Sequence, residues 1–185
     1  MKQILLLIFL LTASQLVAQG IKDFSLVNTK DGKTVTLSNI KSPGIAVIFT
    51  SHECPFDNYY KERLKALVTQ YSGKIQFLFI NSNQEPQESA DQMAIHYKDV
   101  DAPYLADKDQ VVMELFGARK SPEVFLVSTA SGKYNVVYSG AIDDNPQVAQ
   151  DVKENFLKDA MDKLLAGQKI EAPTQRASGC SIRRK

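Results

Sequence analysis

A mixed α/β fold is predicted, with one central sheet and helices on both of its faces, and three observations predict it. Two wholly apolar runs, Gly44 to Thr50 and Ile75 to Ile80, have the pattern of strands buried on both faces. An amphipathic helical stripe lies between them, so the two strands run parallel through a right-handed crossover. Turn pairs at Asp31-Gly32 and Ser131-Gly132 then join flanking runs of alternating character into antiparallel hairpins.

Taken in order, Phe24 to Val27 and Thr34 to Leu37 flank the first turn, making residues 24–37 an N-terminal β-hairpin. After the first buried strand, a break containing Cys54-Pro55 leads into a helix whose apolar stripe is Tyr60, Leu64, Leu67, Val68 and Tyr71. Ser72-Gly73 ends it. The second buried strand is followed by a polar loop, Asn81 to Pro86, and a shorter helix with Ala90, Met93, Ala94 and Tyr97 on one side. Pro103 to Leu105 is a short extended piece, and a helix with Val111, Val112, Leu115 and Phe116 stops at Gly117. Glu123 to Ser128 and Tyr134 to Tyr138 form the second hairpin. A closing helix is expected to start at Asn145-Pro146, with Val148, Val152, Phe156, Ala160, Leu164 and Leu165 on its buried face and Gly167 at its end. The tail 168–185 has no periodicity, and on composition it reads as disordered.

Of 185 residues, 44% are hydrophobic, enough for a real core, and 22 Lys+Arg nearly balance 21 Asp+Glu. That balance argues against a dedicated nucleic-acid binder. Met1-Lys2-Gln3, the apolar run Ile4 to Leu11 and the small residues before Gln19 have the pattern of a secretory signal peptide. The run is too short for a membrane span, which needs about 20 apolar residues. The expected division is therefore a signal peptide over 1–18, cleaved after Ala18, a single domain over 19–167, and the tail 168–185. The exported chain, periplasmic or secreted, keeps no membrane anchor, and its compartment permits disulfides.

Two cysteines exclude a multi-bridge scaffold or a four-cysteine zinc site. Cys54 follows the most hydrophobic strand and opens a strong helix, with Pro55 suited to the first helical position. First-turn N–H groups and the helix dipole favour a thiolate there, which makes Cys54 a candidate nucleophile toward disulfides or peroxides. Glu53 and Asp57 flank the sulfur and are expected to push its pKa back up, and His52 to offset them if protonated. His52, Cys54 and His96 make no recognised metal set, and no metal or other cofactor is expected. Asp101, Asp107, Asp109, Asp143 and Asp144 match no EF-hand loop and read as caps or turns. No phosphate-cradling loop or hydrolase triad is present.

The segment Val47 to Asp57 resembles the active-site segment of thioredoxin-fold redoxins. Cys54 matches the first cysteine of their Cys-x-x-Cys motif, and Asp57 stands at the second. Ser121-Pro122, before the strand Glu123 to Val127, is similar to the family's cis-proline loop, which offers backbone groups to a substrate peptide. Phe24-Ser25-Leu26, Asp31-Gly32-Lys33 and Leu37-Ser38-Asn39-Ile40 resemble the N-terminal hairpin of the alkyl hydroperoxide reductase/thiol-specific antioxidant branch. Thr50 to Pro55, Ile80 to Asn83, Pro103 to Asp107 and Gly179 to Ile182 resemble an exported peroxiredoxin-like subgroup with a single motif cysteine. A typical peroxiredoxin carries proline and Thr/Ser seven and three residues before its reactive cysteine; Val47 and Ser51 stand there.

The resemblance implies a thioredoxin-like fold over about 21–165 and a thiol–disulfide oxidoreductase or thiol peroxidase. In it Cys54 is the nucleophile, Ser121 and Pro122 hold the substrate backbone, and His52 tunes the thiolate. A thiol or disulfide protein, or a peroxide, would be the partner; monomer or dimer is left open. Cys180 is open to three readings: a resolving thiol that pairs reversibly with Cys54, half of a permanent staple, or an independent thiol. A permanent staple would make the protein a non-catalytic binding module.

Overall fold

The computed structural model describes residues 20–185; the expected signal peptide over 1–18 lies outside the described residues. The strands are β1 (Ser25–Asn28), β2 (Thr34–Thr36), β3 (Gly44–Phe49), β4 (Ile75–Asn81), β5 (Tyr104–Ala106), β6 (Lys120–Ser121), β7 (Glu123–Ser128), β8 (Asn135–Gly140), β9 (Thr174–Gln175) and β10 (Cys180–Ser181). The α-helices are α1 (Pro55–Gln70), α2 (Ala90–His96), α3 (Val111–Phe116) and α4 (Phe156–Leu165). Eight strands form one sheet in the order β2-β1-β5-β4-β3-β7-β8-β9, and β10 pairs with β6 in a separate two-stranded ribbon. β3 lies parallel to β4 and antiparallel to β7, so the sheet is mixed and thioredoxin-like.

The reason for the unbroken apolar runs is visible in β3. Ala46 and Ile48 face one core with Tyr60, Leu64 and Val68 of α1 and Leu157, Ala160 and Met161 of α4. Ile45, Val47 and Phe49 face a second core with Phe24, Leu37 and Val112, Met113 and Phe116 of α3. Both sides of the strand leave water, which is the main stabilising term for the layer arrangement. The N-terminal hairpin forms as expected, with Gly32 at φ +70° in its turn.

Two expectations are corrected. Residues 145–155 do not begin the closing helix; α4 starts at Phe156. Apart from a short 3-10 turn at Ala149–Asp151, side chains satisfy the backbone of this segment in place of α-helical bonds. Arg63 donates to the carbonyls of Asn145 and Pro146, the Asn145 side chain accepts from the N–H groups of Gln147 and Val148, and Asp144 accepts from those of Lys153 and Glu154. Val148, expected on a buried face, is exposed.

The tail is also ordered. β9 adds to the sheet edge parallel to β8, at a place where Gly140 (φ +119°) is needed, because any Cβ there would run into the Gln175 backbone. Ile182 is buried in the second core. Edge pairing uses main-chain groups, so it leaves no apolar period in the sequence for a reader to find.

Candidate active site

Cys54 is the N-cap of α1, with extended backbone (φ −81°, ψ 124°) and Pro55 opening the helix. It is bonded through its sulfur to Cys180, 126 residues later, with Cα atoms 6.0 Å apart. Its Sγ lies 3.3 Å from the Ser121 carbonyl oxygen, and the Ser121–Pro122 peptide bond is cis. Four of the residues singled out in the sequence, Cys54, Cys180, Ser121 and Pro122, are thus brought together. Cys54 is 3% exposed, whereas Cys180 is half-buried at the side of a groove of about 290 Å³ lined by Glu53, Asn83, Gln87 and Arg183. A larger groove of about 640 Å³ lies at the other end of the sheet, around Lys30 and the start of β4, and contains neither cysteine.

The loop carrying Cys54 is tied down by a residue that sequence reasoning missed. Glu88 is 2% exposed; its carboxylate accepts from the Ser51 hydroxyl and, at 2.6 Å, from the Asn81 side-chain amide. Ser51 Oγ in turn accepts from the N–H groups of Glu53 (3.2 Å) and Cys54 (3.1 Å). Lys108 closes the far side, its ammonium donating to the carbonyls of Asn83 and Glu88. A glutamate in a polar loop carries no sequence signal of burial, so only the tertiary structure reveals it.

His52 is placed differently from a thiolate-tuning group. Its Nε2 donates to the Gln87 carbonyl at 2.6 Å, and its Nδ1 is 3.0 Å from Glu88 Oε2, off the hydrogen-bond line. The ring stacks on His96 with centroids 4.1 Å apart. No hydrogen bond joins it to Cys54 among the described residues. Burial, and then the neighbouring His52, hold the His96 pKa below its ordinary value.

Asp57 sits in the first turn of α1, where a redoxin would carry its second cysteine. It is 1% exposed; Oδ1 accepts from Thr50 Oγ1 at 2.5 Å, and Oδ2 has no hydrogen-bond partner among the described residues. Burial pushes its carboxyl well above the usual carboxylate range, against the hydrogen bond from Thr50. Asp57 therefore opposes a Cys54 thiolate less than an ionised neighbour would, and the expected penalty from this residue shrinks. Glu53 is exposed and solvated.

A stability test follows from that carboxyl. Because the folded state holds the proton more tightly than the unfolded chain, unfolding releases it, and stability falls as pH rises from about 4 toward the raised folded value. Asp57→Asn keeps the acceptor for Thr50 and cannot ionise. Its stability relative to the parent should rise between pH 4 and pH 7, read as the difference in urea midpoints. A difference flat across that range would show that Asp57 is ionised in the fold.

The aspartates behave as structural groups. Asp107 accepts from the N–H groups of Val112 and Met113 at the start of α3 and from Ser82, and Asp143 pairs with Arg63 and Tyr60.

Similarity to known proteins agrees with this fold. The model of the AhpC/TSA family matches residues 17–142. No curated protein matches the chain. Among solved structures, an uncharacterized conserved protein from Geobacillus kaustophilus is 28% identical at a TM-score of 0.82, covering 91% of this chain and 92% of that one. A hypothetical protein from Sinorhizobium meliloti 1021 is 30% identical at a TM-score of 0.80, covering 88% and 91%. The pneumococcal exposed lipoprotein thioredoxin of Streptococcus pneumoniae, 20% identical at a TM-score of 0.58 over 79% and 99%, shares the fold. With its thioredoxin-like sheet, its cysteine at the mouth of α1 and a family match over most of its length, the chain belongs to the AhpC/TSA family.

Proposed function

We propose that the protein is an exported thiol–disulfide oxidoreductase in which Cys54 is the nucleophile and Cys180 the resolving thiol. The observation that carries this reading is the Cys54–Cys180 bond, set at a helix N-terminus and against a cis-proline loop. A thiol entering the groove meets half-buried Cys180 first, and the sulfur that leaves is Cys54, whose thiolate the first turn of α1 favours. The chemistry needs no cofactor beyond two electrons from an external dithiol. Export rests on the sequence pattern of residues 1–18.

Disulfide exchange is preferred over peroxide reduction because the hydroxyl of Ser51, three residues before Cys54, is already engaged by Glu88 and two loop N–H groups. A second reading, a non-catalytic binding module with a permanent staple, is favoured by the deep burial of Cys54. Titration of the Cys54–Cys180 bond against a glutathione series, read by alkylation and mass spectrometry, separates them. A midpoint near about −200 mV is the expected result, and a bond intact below about −300 mV would mark a staple.

A further inference from the structure

Tail residues 179–182 lie along the backbone edge that precedes the cis-proline. Cys180 stands opposite Ser121 and Ser181 opposite Lys120 in antiparallel register, and the Ile182 N–H donates to the Arg119 carbonyl at 3.0 Å. Contact of this kind is made through main chain, so side chains matter at few positions. Gly179 is one. A Cβ there would stand 2.7 Å from the Ser121 carbonyl carbon, closer still to its oxygen, and 3.0 Å from the Pro122 nitrogen. Those are backbone atoms and cannot swing aside. Ile182 is another, 7% exposed in the core that holds Val112 and Phe116.

We propose that the tail is a tethered stand-in for the substrate: the Lys120–Ser121 edge receives a cysteine-bearing strand of a partner polypeptide in the register of the tail, glycine is required just before the partner's cysteine, and tail and partner exchange places during turnover. This rests on the thiol–disulfide reading above.

In the reduced protein the Cys54 thiolate, its proton given to solvent, attacks the partner's disulfide at the cysteine opposite Ser121. The partner's S–S bond breaks, a Cys54–partner bond forms, and the other partner sulfur leaves as a thiolate and takes up a proton. Cys180, deprotonated to solvent, then attacks Cys54 Sγ. The partner's cysteine leaves and is protonated, and two electrons have passed from the Cys54–Cys180 pair to the partner's disulfide. The tail reoccupies the edge that the product strand held, so release and closure are one event.

The test uses the full chain carrying Cys180→Ser, with Cys54 reduced. Peptides copying residues 176–184, with glycine or valine before the cysteine, are loaded as glutathione mixed disulfides, and the Cys54–peptide adduct is followed by mass spectrometry. The valine peptide is expected to react at least about tenfold more slowly, a difference of about 1.4 kcal/mol. Adding Gly179→Val to the same protein expels the competing tail, and the glycine peptide should then react faster. Equal rates for the two peptides would overturn the proposal. Oxidised glutathione is the control. If Cys54 reacts with neither peptide nor oxidised glutathione, the oxidoreductase reading itself fails and takes this inference with it. Independently of any exchange with peptides, Gly179→Val in the otherwise native chain should lower the equilibrium constant for closing the Cys54–Cys180 bond at least about tenfold against glutathione; an unchanged constant counts against the stand-in.

Discussion

Cys54→Ser is expected to abolish steady-state reduction of a peptide disulfide, by about a thousandfold or more, because the proposed nucleophile at the mouth of α1 is lost. Cys180→Ser is expected to fail in the steady state too, but to keep a single turnover that stalls as a Cys54–peptide adduct. The comparison is controlled for stability. Both variants open the same loop, and removing a cross-link that spans 126 residues lowers stability by about 2–5 kcal/mol in either case. Denaturant midpoints should therefore fall together while the trapped adduct appears in one variant only. If Cys54→Ser forms the adduct and Cys180→Ser does not, the two roles are reversed. If neither variant loses turnover, the bond is a staple.

Glu88→Ala is expected to destabilise the fold by about 3–5 kcal/mol, the cost of breaking a buried charged network on one side. The carboxylate takes the Ser51 hydroxyl and the Asn81 amide, so its removal strands two buried side-chain donors at once. Glu88→Gln retains the volume and one acceptor oxygen and should cost less than half as much. Urea denaturation of the three proteins measures this. A loss below about 1 kcal/mol for Glu88→Ala would mean that water fills the site and that the network does not hold the Cys54 loop. The functional counterpart is a slower adduct-forming step in Glu88→Gln, since the Glu53 and Cys54 N–H groups are held by Ser51, and Ser51 by Glu88.

The site was legible in proportion to how local its signals are. Cys54-Pro55 after a buried strand is a short-range pattern, and it located the cysteine at the helix mouth. Ser121-Pro122 was recognised through resemblance, and the cis bond agrees. The polar groups around them were not legible. Glu88 and Lys108 look like ordinary surface charges in the chain, and Asp57 like a solvated acid; burial depends on what packs above them from distant segments. His52 was assigned to the sulfur by adjacency in sequence, yet its ring is drawn to Gln87 and His96. The helix expected from Asn145 failed for a related reason. Its apolar spacing was compatible with a helix, but Arg63, 82 residues away, captures the carbonyl of Asn145.

By itself the sequence determined the layer order: apolar runs of period-free character must be buried on both faces, stripes of helical period must cover them, and Gly-containing turns must join the hairpins. Only the tertiary structure decided the path of the last eighteen residues. Their attachment is chiefly main-chain pairing to β8 and β6, one buried isoleucine and one sulfur–sulfur bond, with Gln110 and Lys120 adding side-chain hydrogen bonds. Main-chain hydrogen bonding is nearly the same for every residue type. It therefore leaves no periodicity in the tail, and it takes the assembled edge of the sheet to give those residues a partner.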